Sequence, residues 1–194
     1  MLIGIDLDNT IVCYDAVFAD LASEAGLPEE VAAAGKQAIR DHLRRAGREE
    51  EWTMMQGLAY GRRMPDAAPF PGVLEFMAQA VGLGYELAVV SHRTRQPILG
   101  DPFDLHGAAS EWLVRCGADR LARIFLEESQ ASKAARVRDL GCAVFIDDLS
   151  DFLGRSDLPV LMRKILFVPV ESGECPGFET VGSWERIANL LLAR

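Results

Sequence analysis

Apolar residues fill Leu2–Leu7 with almost no alternation, the pattern of a strand covered on both faces. From Asp15 to Met64 the spacing becomes helical: Val17, Leu21 and Ala25, then Val31, Ile39 and Leu43, then Trp52, Met55, Leu58 and Ala59. Gly26, Gly47 and Gly61 punctuate this stretch, and Pro28 suits a helix start, so about three helices are expected there. Pro65, Pro69 and Pro71 crowd a short span that reads as a linker. Beyond it, apolar runs alternate with helical periodicity. Strands are expected near Tyr85–Val90, Leu121–Leu126, Ala143–Ile146 and Ile165–Val168. Helices are expected near Val73–Val81, Gly107–Cys116, Ser132–Leu140 and Ser183–Leu192. This alternation predicts an α/β fold, a Rossmann-like doubly wound parallel sheet of about five strands. Residues 1–14 and 65–194 would form the core, and residues 15–64 a helical insert.

Composition narrows the options. The 194 residues suit one domain with a modest insert, and 49% hydrophobic with 25% charged residues is ordinary for a globular chain. No apolar run approaches the ~20 residues needed to cross a bilayer. The start lacks a basic region and meets an acidic residue at Asp6, so no signal peptide and a cytoplasmic location are expected. Cys13, Cys116, Cys142 and Cys175 form no CxxC pair and are expected as free thiols. A net charge of −9 argues against a nucleic-acid polymer as partner. It leaves room for a small anion, because a metal ion and local cations reverse the field inside a site.

Ligands of such sheets bind beyond the carboxyl ends of the strands, so the residues that follow each strand carry the functional signal. The first strand runs into Asp6-Leu7-Asp8-Asn9-Thr10. Two carboxylates just past a buried strand are costly unless a cation or hydrogen bonds satisfy them, although Asp, Asn and Thr also favour plain turns. The second strand ends in Ser91-His92-Arg93-Thr94-Arg95, where a hydroxyl, exposed backbone N–H groups and forked donors suit a phosphate. An N-cap serine with solvated arginines is the competing reading. Lys133 opens a predicted helix, an electrostatically unfavourable place that an anionic partner would resolve. It is one of only three lysines, with Lys36 and Lys164. The fourth strand ends in Asp147-Asp148, a pair that repels itself unless a cation or a proton intervenes, and whose oxygens suit Mg²⁺.

In this order and at strand ends, these residues resemble the haloacid-dehalogenase-like (HAD) superfamily, whose pattern runs DxDx[TV], Ser/Thr, Lys, acidic pair. The matching positions are Asp6/Asp8/Thr10, Ser91, Lys133 and Asp147/Asp148, and Phe70-Pro71-Gly72-Val73 is familiar as the entry to the helix before the second motif. The resemblance implies a Mg²⁺-dependent phosphohydrolase acting on a small phosphorylated metabolite. Asp6 would be the nucleophile that forms an aspartyl-phosphate, and Asp8 the general acid and base. Ser91, His92, Arg93 and Lys133 would hold the phosphoryl group. Asp6, the Asp8 carbonyl, Asp148 and Asp147 would serve the metal, with Asp148 favoured as the direct ligand. Retention of Asp8 separates phosphatases and phosphomutases from family dehalogenases. Residues 15–64 stand where the family inserts a C1 cap. Trp52, Tyr60 and Phe18 recur at helical spacing, and core packing is the expected role rather than stacking on a base. A phosphomutase, a phosphonate-cleaving enzyme using Lys36, and a non-catalytic phospholigand-binding module are the alternatives. The sequence sets neither the oligomeric state nor the purpose of the long segment 95–106.

Overall fold

The computed structural model describes residues 1–169 and 177–193. The chain divides into two compact units, one of residues 1–12, 69–93 and 114–194, the other of residues 13–68 and 94–113.

Among the described residues the first unit is built on a six-stranded parallel sheet: β1 (Leu2–Ile5), β2 (Glu86–His92), β3 (Arg123–Glu127), β4 (Val144–Asp147), β5 (Arg163–Phe167) and β6 (Glu179–Val181), in the order β3-β2-β1-β4-β5-β6. The strand nearest the amino terminus is therefore central. Ile5 lies opposite Val89 on one side and Ile146 on the other, so three chain segments end side by side. Ile3, Ile5, Val89, Val90 and Ile146 are wholly buried, which explains the unbroken apolar runs. Ala88, Val90, Ala134, Val137, Phe145 and Phe152 belong to one core cluster on this sheet. Trp184 is buried against Phe76 and Phe167, and its indole N–H donates to the Thr10 carbonyl at 3.0 Å.

The sheet holds one strand more than the sequence predicts. β6 is three residues, Glu-Thr-Val, at an edge of the sheet, too short to generate a periodic signal. Its pairing with β5 is reinforced by two hydrogen bonds of 2.8 Å between the guanidinium of Arg163 and the carboxylate of Glu179.

The second unit is helical: α1 (Asp15–Glu24), α2 (Glu29–Ala33), α3 (Lys36–Arg45) and α4 (Glu49–Tyr60). Four helices stand where the periodicity suggests three. The pattern from Val31 to Leu43 runs through Gly35, which adopts φ 86°, a conformation that ends α2 and opens α3. Phe18 and Trp52 are buried and stacked on each other with ring centres 5.2 Å apart, and Tyr14 meets Tyr60 edge-on at 5.0 Å. These rings pack the interior of the unit, as their spacing implies. Segment 94–113 belongs here. Its loop is closed by the Leu105 N–H donating to the Arg95 carbonyl at 2.9 Å.

Among the described residues no helix is long and apolar enough to cross a membrane. Cys13, Cys116 and Cys142 are free thiols, and burial pushes Cys142 up to about 11. Cys175 lies outside the described residues.

Gly4 marks the tightest point of the core. A Cβ there would sit 2.4 Å from Cδ2 of Phe145 and 2.9 Å from Sγ of Cys142, both on buried residues that cannot step aside. Gly4→Ala should therefore destabilise the protein by about 1–3 kcal/mol, seen as a lower urea midpoint at unchanged slope.

Candidate active site

The site lies at the carboxyl ends of β1, β2 and β4, with one helix contributing. Asp6 is the first residue past β1, and its N–H is held by the Ile146 carbonyl at 2.9 Å. The chain then turns sharply. The N–H groups of Ile11 and Val12 both donate to the Leu7 carbonyl at 2.9 Å, and Asn9 takes φ 59°, a left-handed conformation that asparagine tolerates better than most residues. So the Asp-Leu-Asp-Asn-Thr segment is the tight turn its composition suggests. That same turn presents two carboxylates at the carboxyl end of the central strand. Thr10 is wholly buried within it.

Asp147 ends β4 and is fully buried. Its Oδ1 accepts the Leu149 N–H at 2.8 Å, which fixes the carboxylate in place. Oxygens of Asp6, Asp147 and Asp148 lie within 4.8 Å of one another. Lys133 enters from α5 (Gln130–Leu140). The start of α5 is secured by a capping box: the Ser129 hydroxyl accepts the Ser132 N–H at 3.0 Å, and the Ser129 N–H donates to the Ser132 hydroxyl at 3.1 Å. One turn in, the Lys133 ammonium donates to Asp6 Oδ1 and Asp147 Oδ2, each at 2.6 Å, and lies 4.3 Å from the centre of the Phe152 ring. The anionic partners that its helix position calls for are these two carboxylates.

β2 delivers the remaining groups. Ser91 is buried, and its hydroxyl donates to Asp8 Oδ2 at 3.4 Å. Arg93 is also buried and pairs through Nη2 with Asp8 Oδ1. His92, between them, is half-buried. Burial first, then the charge of Lys133, lower its imidazole below the ordinary value. The structure thus gathers Asp6, Asp147, Asp148 and Lys133 into one group, and Asp8, Ser91 and Arg93 into a second beside it. Sequence reading places Arg93 near a phosphate but misses its pairing with Asp8. The signal available was the two-residue spacing from Ser91, which puts both side chains on one side of an extended strand.

Charge decides what this arrangement can do. Four carboxylates (Asp6, Asp8, Asp147, Asp148) meet two cations, Lys133 and Arg93. Burial raises the Asp6 carboxyl well above the ordinary value. Lys133 opposes this, while Asp147, Asp148 and Asp8 add to it. Desolvation pulls Lys133 down, but Asp6 and Asp147 outweigh it and hold the ammonium above its ordinary value. The excess of two negative charges, all on oxygen donors, fits a hard divalent cation such as Mg²⁺. Asp147 already uses one oxygen on Leu149 and the other on Lys133, so Asp6 and Asp148 are the better-placed carboxylate donors.

Comparison with solved structures gives the fold: it is that of the HAD superfamily. A HAD-superfamily hydrolase from Ehrlichia chaffeensis aligns over 98% of this chain and 95% of its own, with 11% identity and a TM-score of 0.59. Protein Tyrosine Kinase A from Mycobacterium tuberculosis aligns over 98% and 97%, with 15% identity and a TM-score of 0.65. CbbY from Rhodobacter sphaeroides, solved in complex with phosphate, aligns over 96% and 95%, with 18% identity and a TM-score of 0.54. No protein-family model and no curated protein sequence matches the chain.

The second unit carries a feature that sequence reading leaves open. Met54, Leu58, Arg62, Pro97, Leu99 and Phe103 line a surface cavity of about 250 Å³ between α4 and the 95–104 loop. Arg62 lies over the Phe103 ring at 5.8 Å.

Removing the ammonium tests the charge balance. In metal-free protein near neutral pH, Lys133→Met should cost about 3–5 kcal/mol of stability, because it strands two buried carboxylates. The folded Asp6 carboxyl lies above its unfolded value of about 3.9. Its contribution to stability is therefore complete below that value and is lost as pH rises through the folded one. Urea titrations should show stability falling with rising pH in this range, more steeply in the variant.

Proposed function

We propose that this protein is a Mg²⁺-dependent phosphohydrolase acting on a small phosphate monoester, with Asp6 as nucleophile. The observation that carries the proposal is the cluster of Asp6, Asp147 and Asp148 oxygens within 4.8 Å, with Lys133 bridging Asp6 and Asp147 at 2.6 Å. A phosphate dianion and three carboxylates share a space only if positive charge is supplied, and that electrostatic service is the main requirement of phosphoryl transfer. The HAD-superfamily fold and the phosphate-bound state of CbbY support the same reading.

In the proposed reaction a carboxylate oxygen of Asp6 attacks phosphorus, and the bond from phosphorus to the ester oxygen breaks. Asp8 gives its proton to that leaving oxygen. Asp8 then takes a proton from water as the water attacks the aspartyl-phosphate, releasing inorganic phosphate and restoring Asp6. Lys133 keeps Asp6 aimed and offsets its charge. The hydroxyl of Ser91 and the N–H groups beside it receive the phosphoryl oxygens, with His92 at the same strand end. When bound, Mg²⁺ would be held by Asp6, Asp148 and the Asp8 carbonyl, with Asp147 behind them, and would withdraw charge from the phosphoryl group. The helical insert at residues 15–64 is assigned to choosing the ester, and a cytoplasmic location fits a small phosphorylated metabolite.

Asp6→Asn should abolish turnover of a phosphate-ester panel in Mg²⁺ while the protein stays folded, with an unchanged circular dichroism spectrum. Activity that survives this change removes Asp6 from its role. Chelation of Mg²⁺ should abolish turnover in the wild type.

Mg²⁺ with BeF₃⁻ should raise the melting temperature of the wild type but not of Asp6→Asn. The stabilisation by Mg²⁺ alone should grow from mildly acidic to mildly alkaline pH, because protons compete for the same carboxylates. A shift that is independent of Mg²⁺ counts against the metal site.

A further inference from the structure

Both oxygens of Asp8 face donors from the same strand end. Arg93 takes Oδ1 and the Ser91 hydroxyl donates to Oδ2 at 3.4 Å. Ser91 and Arg93 are two residues apart at the end of β2, where alternation sends both side chains the same way. The backbone of Arg93 is itself anchored, since its N–H donates to the Glu127 carbonyl at the end of β3 at 2.8 Å. The Arg93 side chain is only 3% exposed and Asp8 19%. A guanidinium cannot shed its charge on burial, so Arg93 needs a carboxylate partner, and Asp8 is that partner. A forked, rigid cation fixes the plane of a carboxylate, which a flexible lysine does not.

We propose that Arg93 is a positioning residue: it clamps Asp8 in the orientation needed for proton transfer, and it is not principally a ligand of the phosphoryl group. The inference rests on the hydrolase reading of Asp8. A general acid or base works only within hydrogen-bond reach of the proton it moves, so orientation is as much a requirement as acidity. Without the clamp, Asp8 stands beside the Asp6–Asp147–Asp148 cluster as a further like charge whose direction Arg93 no longer fixes. The site then has a division of labour. Lys133 serves the nucleophile side, through Asp6 and Asp147. Arg93 serves the proton-transfer side, through Asp8. The two cations are not interchangeable, because one must bridge two carboxylates and the other must fix one.

The test compares wild type, Arg93→Lys and Arg93→Ala on a phosphate ester that the wild type hydrolyses, together with binding of Mg²⁺ and orthovanadate. Arg93→Lys keeps a positive charge and serves if Arg93→Ala fails to fold. Positioning predicts that kcat falls about 100-fold in both variants while KM and vanadate affinity change less than about threefold. It further predicts that added ethylguanidinium restores part of the kcat of Arg93→Ala, or, if that variant does not fold, that Arg93→Lys alone shows the loss in kcat. A loss confined to KM, or a vanadate affinity weakened tenfold or more, makes Arg93 a phosphate ligand and overturns the proposal. An unchanged kcat in Arg93→Lys overturns it as well. A wild type that turns over no ester is a different failure: it removes the hydrolase reading, and the positioning role with it.

Discussion

The structure turns on negative charge gathered beside a buried core. Three carboxylates, from Asp6, Asp147 and Asp148, converge where β1 and β4 end, and a single buried lysine lies between two of them. Buried like charges repel strongly, so such a cluster persists only where the scaffold forces it together and cations balance it. The scaffold here is the central position of β1. Because β2 and β4 flank it in parallel, residues after all three strands meet in one place without any long-range adjustment. The packing beneath is correspondingly inflexible: Gly4 has no space for a methyl group, and Trp184 ties the turn after Asp8 to the core through the Thr10 carbonyl.

From that constraint the rest of the site follows. Lys133 must reach the carboxylates from a helix that starts firmly, and the Ser129–Ser132 capping box supplies the start. Its ammonium sits against the Phe152 ring, which lets a charge remain in an apolar setting. Asp147 has both oxygens engaged, which makes it a support for the cluster, while Asp148 stays half-buried at the rim. Burial and hydrogen bonding thus set the adjacent aspartates apart, a distinction that their identical chemistry hides.

Much of this was legible in the sequence. An unbroken apolar run followed by Asp6 and Asp8 announces a buried strand ending in costly groups, and the cost itself is the clue. Lys133 was legible because lysine is rare in this chain and sits at the wrong end of a helix for its charge. What escaped detection lacked a local signature. β6 is three residues paired by register with β5, and three residues carry no period. Gly35 splits a helix although the apolar spacing runs straight through it. The pairing of Arg93 with Asp8 joins residues 85 apart in the chain: the spacing of Ser91 and Arg93 puts them on one side of a strand but does not name the partner. The grouping of segment 94–113 with the helical unit is likewise a matter of packing, as where Gly57 approaches Pro97 too closely to admit a Cβ.

The two cations also explain why the site calls for more positive charge than the chain provides. With a net charge of −9, the field of the whole molecule opposes an approaching anion. Local neutralisation must overcome this, yet Lys133 is committed to two carboxylates and Arg93 to Asp8. Neither brings an undivided charge to a phosphate. Backbone N–H groups and the Ser91 hydroxyl offer direction but only partial charge. Under the proposed function the remaining charge has to come from outside the polypeptide, at the oxygens of Asp6 and Asp148, and a hard divalent cation is the species whose charge and ligand preference match that deficit. Under that proposal, Mg²⁺ dependence would follow from the commitment of this chain's own cations to Asp6, Asp147 and Asp8.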